Sequence, residues 1–264
     1  MTESDPSAPN AVVFDLDGTV VHGGSLIDGA EQSLAAVREA GLDVLFLTNN
    51  PTRSASDWAE HLSGQGIEAS ADEVLTSAVA TVEYLDAHHA EAPTLPIAGE
   101  TVVEQLRDSE VAFVEEPDTA EVVVAGFDLE FDYGDLTRGL RALLDGATLV
   151  GTDPDRWVPT TEGPIPGSGA VTGALAEAAE VEPEAVLGKP SAETIDLALD
   201  RLVAPPEACL LVGDRLDTDV AMGEQAGMAT ALVLTGASDR EALANSEIQP
   251  DHVLDSIAEV PWLL

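Results

Sequence analysis

Lysine is almost missing from this chain. Lys189 is the only one in 264 residues, and Lys and Arg together number 10 against 50 Asp and Glu, a formal charge of −40. Cations this few and this dispersed cannot assemble a basic patch, which excludes a nucleic-acid polymer as partner. Cysteine is limited to Cys209, so no intramolecular disulfide can form. That residue stands in the apolar run 208–212 and reads as a buried, inert thiol. No apolar run reaches the length of a membrane span. Residues 1–9 lack the basic and apolar segments of a secretory signal. The expectation is a soluble cytoplasmic protein with no membrane partner.

The acids are spread through amphipathic segments rather than gathered in a tail. At low salt such a chain repels itself, whereas at molar salt the Debye length shrinks to about 3 Å. Aromatics are also scarce, at 4 %. The simplest account is adaptation to a very salty cytoplasm of the halophilic archaeal kind. An acidic protein that holds basic partners or calcium is the alternative.

What the chain does have is a set of polar residues at the ends of apolar runs. The run Ala11-Val12-Val13-Phe14 reads as a buried strand over 11–15 and leads into Asp15-Leu16-Asp17-Gly18-Thr19. Two carboxylates one residue apart share a side if the strand geometry persists, and burying both calls for a cation beside them. Gly18 lets the backbone turn sharply next to a ligand. Strand-like and helix-like segments then alternate: a helix over 29–40, a strand over 43–48 closing on Asn49-Asn50-Pro51, and a helix over 54–64. This order predicts a parallel sheet with right-handed crossovers.

The middle of the chain predicts helices near 77–90, 100–107, 134–144 and 169–180, and strands at 111–114, 121–126 and 147–150, with Pro93 and Pro96 breaking the chain and a rigid Pro-rich stretch over 157–168. The first pattern resumes with a helix over 191–202, a strand over 208–213, a helix over 219–226 and a strand over 229–234. The expected organisation is a core domain of residues 1–78 and 186–264 interrupted by an inserted α/β module of residues 79–185.

Four polar groups fall after strands or at helix starts: Asp15/Asp17, Thr48/Asn49, Lys189 and Asp214/Asp219. Their chemistry suits phosphoryl transfer through an aspartyl-phosphate. One carboxylate attacks phosphorus, and a second protonates the leaving oxygen and then activates water. Further carboxylates hold a divalent cation, and a lysine, a hydroxyl and backbone amides bind the phosphoryl oxygens.

On these residues the chain resembles the haloacid-dehalogenase superfamily, in the group of NagD-type and p-nitrophenyl-phosphatase-like enzymes. The matching motifs are Asp15-Leu16-Asp17-Gly18-Thr19-Val20, Leu47-Thr48-Asn49-Asn50, Gly188-Lys189-Pro190 and Gly213-Asp214-Arg215-Leu216-Asp217-Thr218-Asp219. The resemblance runs from about residue 11 to 236 and includes a cap signature near 151–173. It implies a three-layer Rossmannoid core with a parallel sheet and an inserted α/β cap of the C2a type. It also implies a Mg2+-dependent phosphomonoester hydrolase acting on small phosphorylated metabolites, as a monomer or a homodimer joined through the cap. Asp15 would be the nucleophile and Asp17 the general acid/base. The Asp15 and Asp214 carboxylates and the Asp17 carbonyl would hold the metal, with Asp219 orienting that shell or Lys189. Gly18, Thr48, Asn49 and Lys189 would bind the phosphoryl group. A phosphomutase, or a noncatalytic phosphometabolite sensor, is the alternative on the same scaffold. Two residues depart from the pattern: His22 stands where many relatives carry an aromatic, and Asp153 where they commonly carry Asn.

Overall fold

The computed structural model describes residues 9–158, 160 and 163–264. The expectation for residues 1–8 and the part of the Pro-rich stretch at Pro159 lie outside them. The strands of the two main sheets are numbered in chain order: β1 (Ala11–Phe14), β2 (Asp43–Thr48), β3 (Val74–Thr76), β4 (Thr94–Ile97), β5 (Val122–Ala125), β6 (Thr148–Gly151), β7 (Ala185–Val186), β8 (Cys209–Gly213), β9 (Ala229–Val233) and β10 (His252–Leu254). The chain divides into two compact units. One comprises residues up to Thr48, Ala55–Leu75 and Thr194–Leu264; the other comprises Asn49–Ser54 and Thr76–Glu193. In this division Asn49–Ser54 and residues 186–193, Lys189 among them, group with the second unit.

The first unit holds a six-stranded sheet in the order β10-β9-β8-β1-β2-β3. From β10 to β2 every neighbouring pair is parallel. Val12 and Phe14 lie in register with Val44 and Phe46 on one side and with Leu210 and Val212 on the other. Alternate residues point to one face. These side chains therefore form one layer, packed under Ala30, Leu34 and Val37 of helix Ala30–Glu39 and under Trp58 and Leu62 of helix Ala55–Ser63. Each large apolar side chain buried this way contributes about 1.5–3 kcal/mol. The opposite face is covered by residues 216–226, where Leu216 and Val220 pack on Leu232. Two helical layers thus sandwich a parallel sheet, as the alternating pattern predicts.

The second unit holds a four-stranded parallel sheet in the order β7-β6-β5-β4. Leu95, Ile97, Val123, Ala125 and Leu149 form its core with Ala142 and Leu143 of helix Tyr133–Leu144 and Val171 and Leu175 of helix Ser168–Ala179.

Two expectations need correction here. Pro96 does not break the chain but sits inside β4, in register with Val124. The stretch 111–114 is not a strand and makes only one bridge, Phe113 to Thr94. One fact accounts for both. Thr94 donates to the Ala112 carbonyl at 2.7 Å and accepts from the Val114 N–H at 2.9 Å. The next rung on that side would need an N–H from Pro96, which has none, so β4 becomes the edge strand.

No helix among the described residues is long and apolar enough to cross a membrane. Cys209 is 1 % exposed on β8, and burial, with the charges of Glu207 and Asp43, pushes its thiol up to about 11. It is a packing residue, as its apolar run suggests.

Candidate active site

Strand order decides where the first unit can hold a ligand. The chain lays down β1, then β2 and β3 on one side, and later β8 on the other side of β1. Such a reversal opens a crevice at the carboxyl ends of the two diverging strands. Asp15 follows β1 there and Asp214 follows β8, with the Asp15 N–H bonded to the Val212 carbonyl at 2.9 Å.

Among the described residues, Asp15, Asp214 and Asp219 each bring a carboxylate oxygen to within 4.8 Å of the others. All three are buried, with exposures of 6 %, 4 % and 1 %. Like charges this close and this dry repel strongly unless a cation joins them. The donor set is all oxygen, which suits a hard divalent cation such as magnesium or calcium.

The surrounding backbone is shaped to admit these carboxylates. Gly18 has φ +95°, and a Cβ there would stand 2.5 Å from Asp214 Oδ2. A Cβ on Gly236 would collide with the Asp214 carboxylate, and one on Gly213 with that of Asp219. Asp214 Oδ2 accepts from the Ala237 N–H at 2.5 Å, and its main-chain carbonyl accepts from Ser238 at 3.0 Å. The Thr235 hydroxyl donates to the Gly18 carbonyl at 2.6 Å, tying the first turn to the loop after β9.

Asp219 reaches the cluster through a wide turn. Residues Leu216–Val220 form one turn of π-helix, and the Val220 N–H reaches back to the Arg215 carbonyl at 3.2 Å. Asp219 Oδ2 accepts from the Arg215 N–H at 3.0 Å. The α-helix starts only at Ala221, two residues later than the pattern predicts. Such wide turns are frequent at functional sites.

Asp17 is placed differently from Asp15. β1 ends at Phe14, so the strand geometry that would set both carboxylates on one side does not persist. Residues 16–21 instead close a tight turn in which the Thr19, Val20 and Val21 N–H groups all point to the Leu16 carbonyl, and Asp17 is exposed. Its side chain is not one of the three clustered carboxylates. Thr48, 2 % exposed, is the last residue of β2, the other neighbour of β1. His22 is exposed in a two-residue strand beside Ser25–Leu26.

In the second unit the third motif meets the second. The Asn49 side chain grips the main chain of Lys189 at both ends. Its Oδ1 accepts from the Lys189 N–H at 2.7 Å, and its Nδ2 donates to the Lys189 carbonyl at 3.1 Å. Both residues are buried, at 7 % and 3 % exposure. The sequence does not reveal this clamp, because 140 residues separate its partners. A hollow of about 260 Å³ beside helix Ala30–Glu39 is a poor competitor for the site. The Arg38 guanidinium there is already bonded to Glu73 at 2.8 Å and to the Glu68 carbonyl at 2.7 Å, and the clustered acids Asp15, Asp214 and Asp219 are not in its lining.

Comparison with known proteins agrees with this geometry. A family model described as haloacid dehalogenase-like hydrolase matches residues 12–112, and a second, HAD-hydrolase-like model matches residues 186–260. The sugar-phosphatase AraL of Bacillus subtilis is 31 % identical over 258 residues, covering 98 % of this chain and 94 % of its own length. The chain belongs to the haloacid dehalogenase-like hydrolases. Among solved structures, the p-nitrophenyl phosphatase from Archaeoglobus fulgidus superposes on this hydrolase with a TM-score of 0.92 and 32 % identity, over 97 % of this chain and all of that one. The glycerol phosphate phosphatase from Mycobacterium tuberculosis, solved with calcium, gives 0.86 and 32 %, over 96 % of this chain and 74 % of that one.

Proposed function

We propose that this hydrolase cleaves small phosphomonoesters through an aspartyl-phosphate on Asp15, with a divalent cation, Mg2+ by preference, held by Asp15, Asp214 and the Asp17 carbonyl. The observation that carries the reading is the set of three buried carboxylates at the point where the strand order reverses. Phosphomonoester hydrolysis is the activity named for the relatives that match along nearly the whole chain. A cation bound there offsets the repulsion between a carboxylate nucleophile and a phosphate dianion.

In this reading Asp15 attacks phosphorus, and Asp17, exposed beside the turn, protonates the leaving alkoxide and then takes the proton of the attacking water. Asp219, fixed to Arg215, holds the metal-binding carboxylates in orientation. Gly18 and Thr48 receive the phosphoryl oxygens, and the Lys189 ammonium offsets their charge. Asn49, which the motif also assigns to the phosphoryl group, serves by fixing Lys189. Residues 79–185 act as a cap that excludes bulk water. The substrate class is small phosphorylated metabolites: sugar phosphates, glycerol phosphate, phosphoglycolate or nucleoside monophosphates. The excess of acids over cations fits work in a salty cytoplasm, as a soluble monomer or homodimer.

The test is phosphate release from a panel of such esters with Mg2+, in dilute buffer and in molar KCl. Asp15→Asn should lower turnover by at least about 10⁴-fold and remove acid-labile phosphorylation. Retained turnover would refute the nucleophile. Activity and the unfolding midpoint should both rise with KCl; full stability in dilute buffer would count against salt adaptation. No release from any ester by the folded wild type would turn the reading to a phosphomutase or a sensor.

A further inference from the structure

The loop after β9, Thr235-Gly236-Ala237-Ser238, has no role in the reaction above, yet it holds three parts of the acidic site at once. The Thr235 hydroxyl donates to the Gly18 carbonyl at 2.6 Å, on the turn that follows β1. The Ala237 N–H donates to Asp214 Oδ2 at 2.5 Å, and the Ser238 N–H to the Asp214 main-chain carbonyl at 3.0 Å. Gly236 leaves room for the Asp214 carboxylate. One further bond reaches the π-turn that carries Asp219. The Leu216 N–H donates to the Ser238 hydroxyl oxygen at 3.2 Å, and both residues are buried.

This last bond supplies what the π-turn lacks. The first N–H groups of a helical segment have no partner inside it. The residue before the turn, Arg215, gives no side-chain cap. The Arg215 N–H is met by Asp219 Oδ2 at 3.0 Å, and the next N–H, that of Leu216, is met by Ser238 from 22 residues away. Without the Ser238 hydroxyl a buried N–H would stand unpaired beside the one that Asp219 caps, and a buried donor left so is costly. We propose that Ser238 and Thr235 are positioning residues for the cation site. Ser238 caps Leu216, so that the Asp219 carboxylate is not drawn away from Asp15 and Asp214 to do so. Thr235 holds the Gly18 turn, next to the Asp17 carbonyl. This role rests on the reading of the three clustered carboxylates as a cation site.

Titration calorimetry of the full chain with Mg2+, after treatment with a chelator, reads the affinity without any turnover. Ser238→Ala should weaken binding about tenfold. Thr235→Val, which keeps the shape and loses the hydroxyl, should weaken it about 2–10-fold. A double-mutant cycle shows which carboxylate each residue serves. In the Asp219→Asn background Ser238→Ala should cost less than about twofold, because the carboxylate it guards is already gone, whereas Thr235→Val should cost there what it costs in the wild type. A Ser238 that only held the fold together would lower the urea midpoint and leave the Mg2+ affinity of the folded chain unchanged. If Ser238→Ala does not fold, Ser238→Cys takes its place, since its sulfur is only a weak acceptor. Unchanged affinity in either single variant, or Ser238 and Asp219 losses that add in the cycle, overturns the proposal. A folded wild type that binds no Mg2+ removes the cation reading and the proposal with it. The expected affinities with no ester hydrolysed would sink the phosphatase reading and leave the positioning role standing.

Discussion

In the six-stranded sheet the chain builds outward from β1 in both directions, β2 and β3 on one side and β8 to β10 on the other. In the four-stranded sheet it lays β4 to β7 down in a single direction. Both are made of short, buried, parallel strands rich in Val and Leu. Only the first has a reversal of strand order, and only there do the loops after neighbouring strands diverge to leave a crevice. The clustered acids sit at that reversal. Among the described residues the second sheet gathers no such cluster; after β7 the chain enters the turn that carries Lys189, fixed by its main chain. One unit concentrates negative charge at a point set by topology. The other spends buried hydrogen bonds on orienting one cation.

Substituting one glycine in the first unit should show the largest effect. A Cβ at Gly213 runs into the Asp219 carboxylate, where backbone and π-turn leave no room. Gly213→Ala should cost about 1–3 kcal/mol of stability by overpacking. It should also weaken divalent-cation binding by about 10–100-fold as the orienting carboxylate is displaced. Titration calorimetry with Mg2+ checks this; unchanged affinity would mean that Asp219 has no part in the cation site. Next in size is Asn49→Ala. Losing both bonds to the Lys189 main chain should cost about 1–3 kcal/mol, since two buried partners are left unpaired. Turnover should drop by about tenfold or more through misplacement of the lysine. Urea unfolding and the NMR spectrum of the chain made with isotope-labelled lysine, whose signals all come from Lys189, separate the two possible roles of Asn49. A side chain that only bound phosphate would raise KM and leave the lysine signal where it was.

Much of this was legible in the sequence, for a physical reason. Buried parallel strands are short apolar runs, so β1, β2, β8 and β9 announce themselves, and polar residues at their ends stand out against them. Asp15, Asp17, Thr48, Asn49, Asp214 and Asp219 are picked out on that ground, Lys189 also by the scarcity of lysine, and the family motifs add the roles assigned to each. Edge and loop behaviour was less legible. Pro96 reads as a breaker because the sequence does not say which side of a strand will be paired. Asp17 reads as the partner of Asp15 in orientation because the sequence does not show that β1 stops at Phe14. Contacts across long separations, such as Asn49 with Lys189 or Leu216 with Ser238, are set by the folded arrangement and leave no local trace.

The smallest effect expected is a gain, from the second unit. Gly173 lies inside helix Ser168–Ala179 and is exposed, and a Cβ there would meet nothing within 4 Å. Gly173→Ala should therefore stabilise by about 0.5–1 kcal/mol, because glycine loses more backbone entropy on entering a helix than alanine does. The same substitution that harms Gly213 should help here, since one glycine makes room for a carboxylate and the other makes room for nothing. In a chain of this size such a gain moves a thermal midpoint by roughly 2–4 °C per kcal/mol. Calorimetry of Gly173→Ala also reads how the two units unfold. A single transition moved upward means that they melt together, whereas one of two transitions moving alone means that the second unit melts on its own and a single unfolding free energy does not describe the chain.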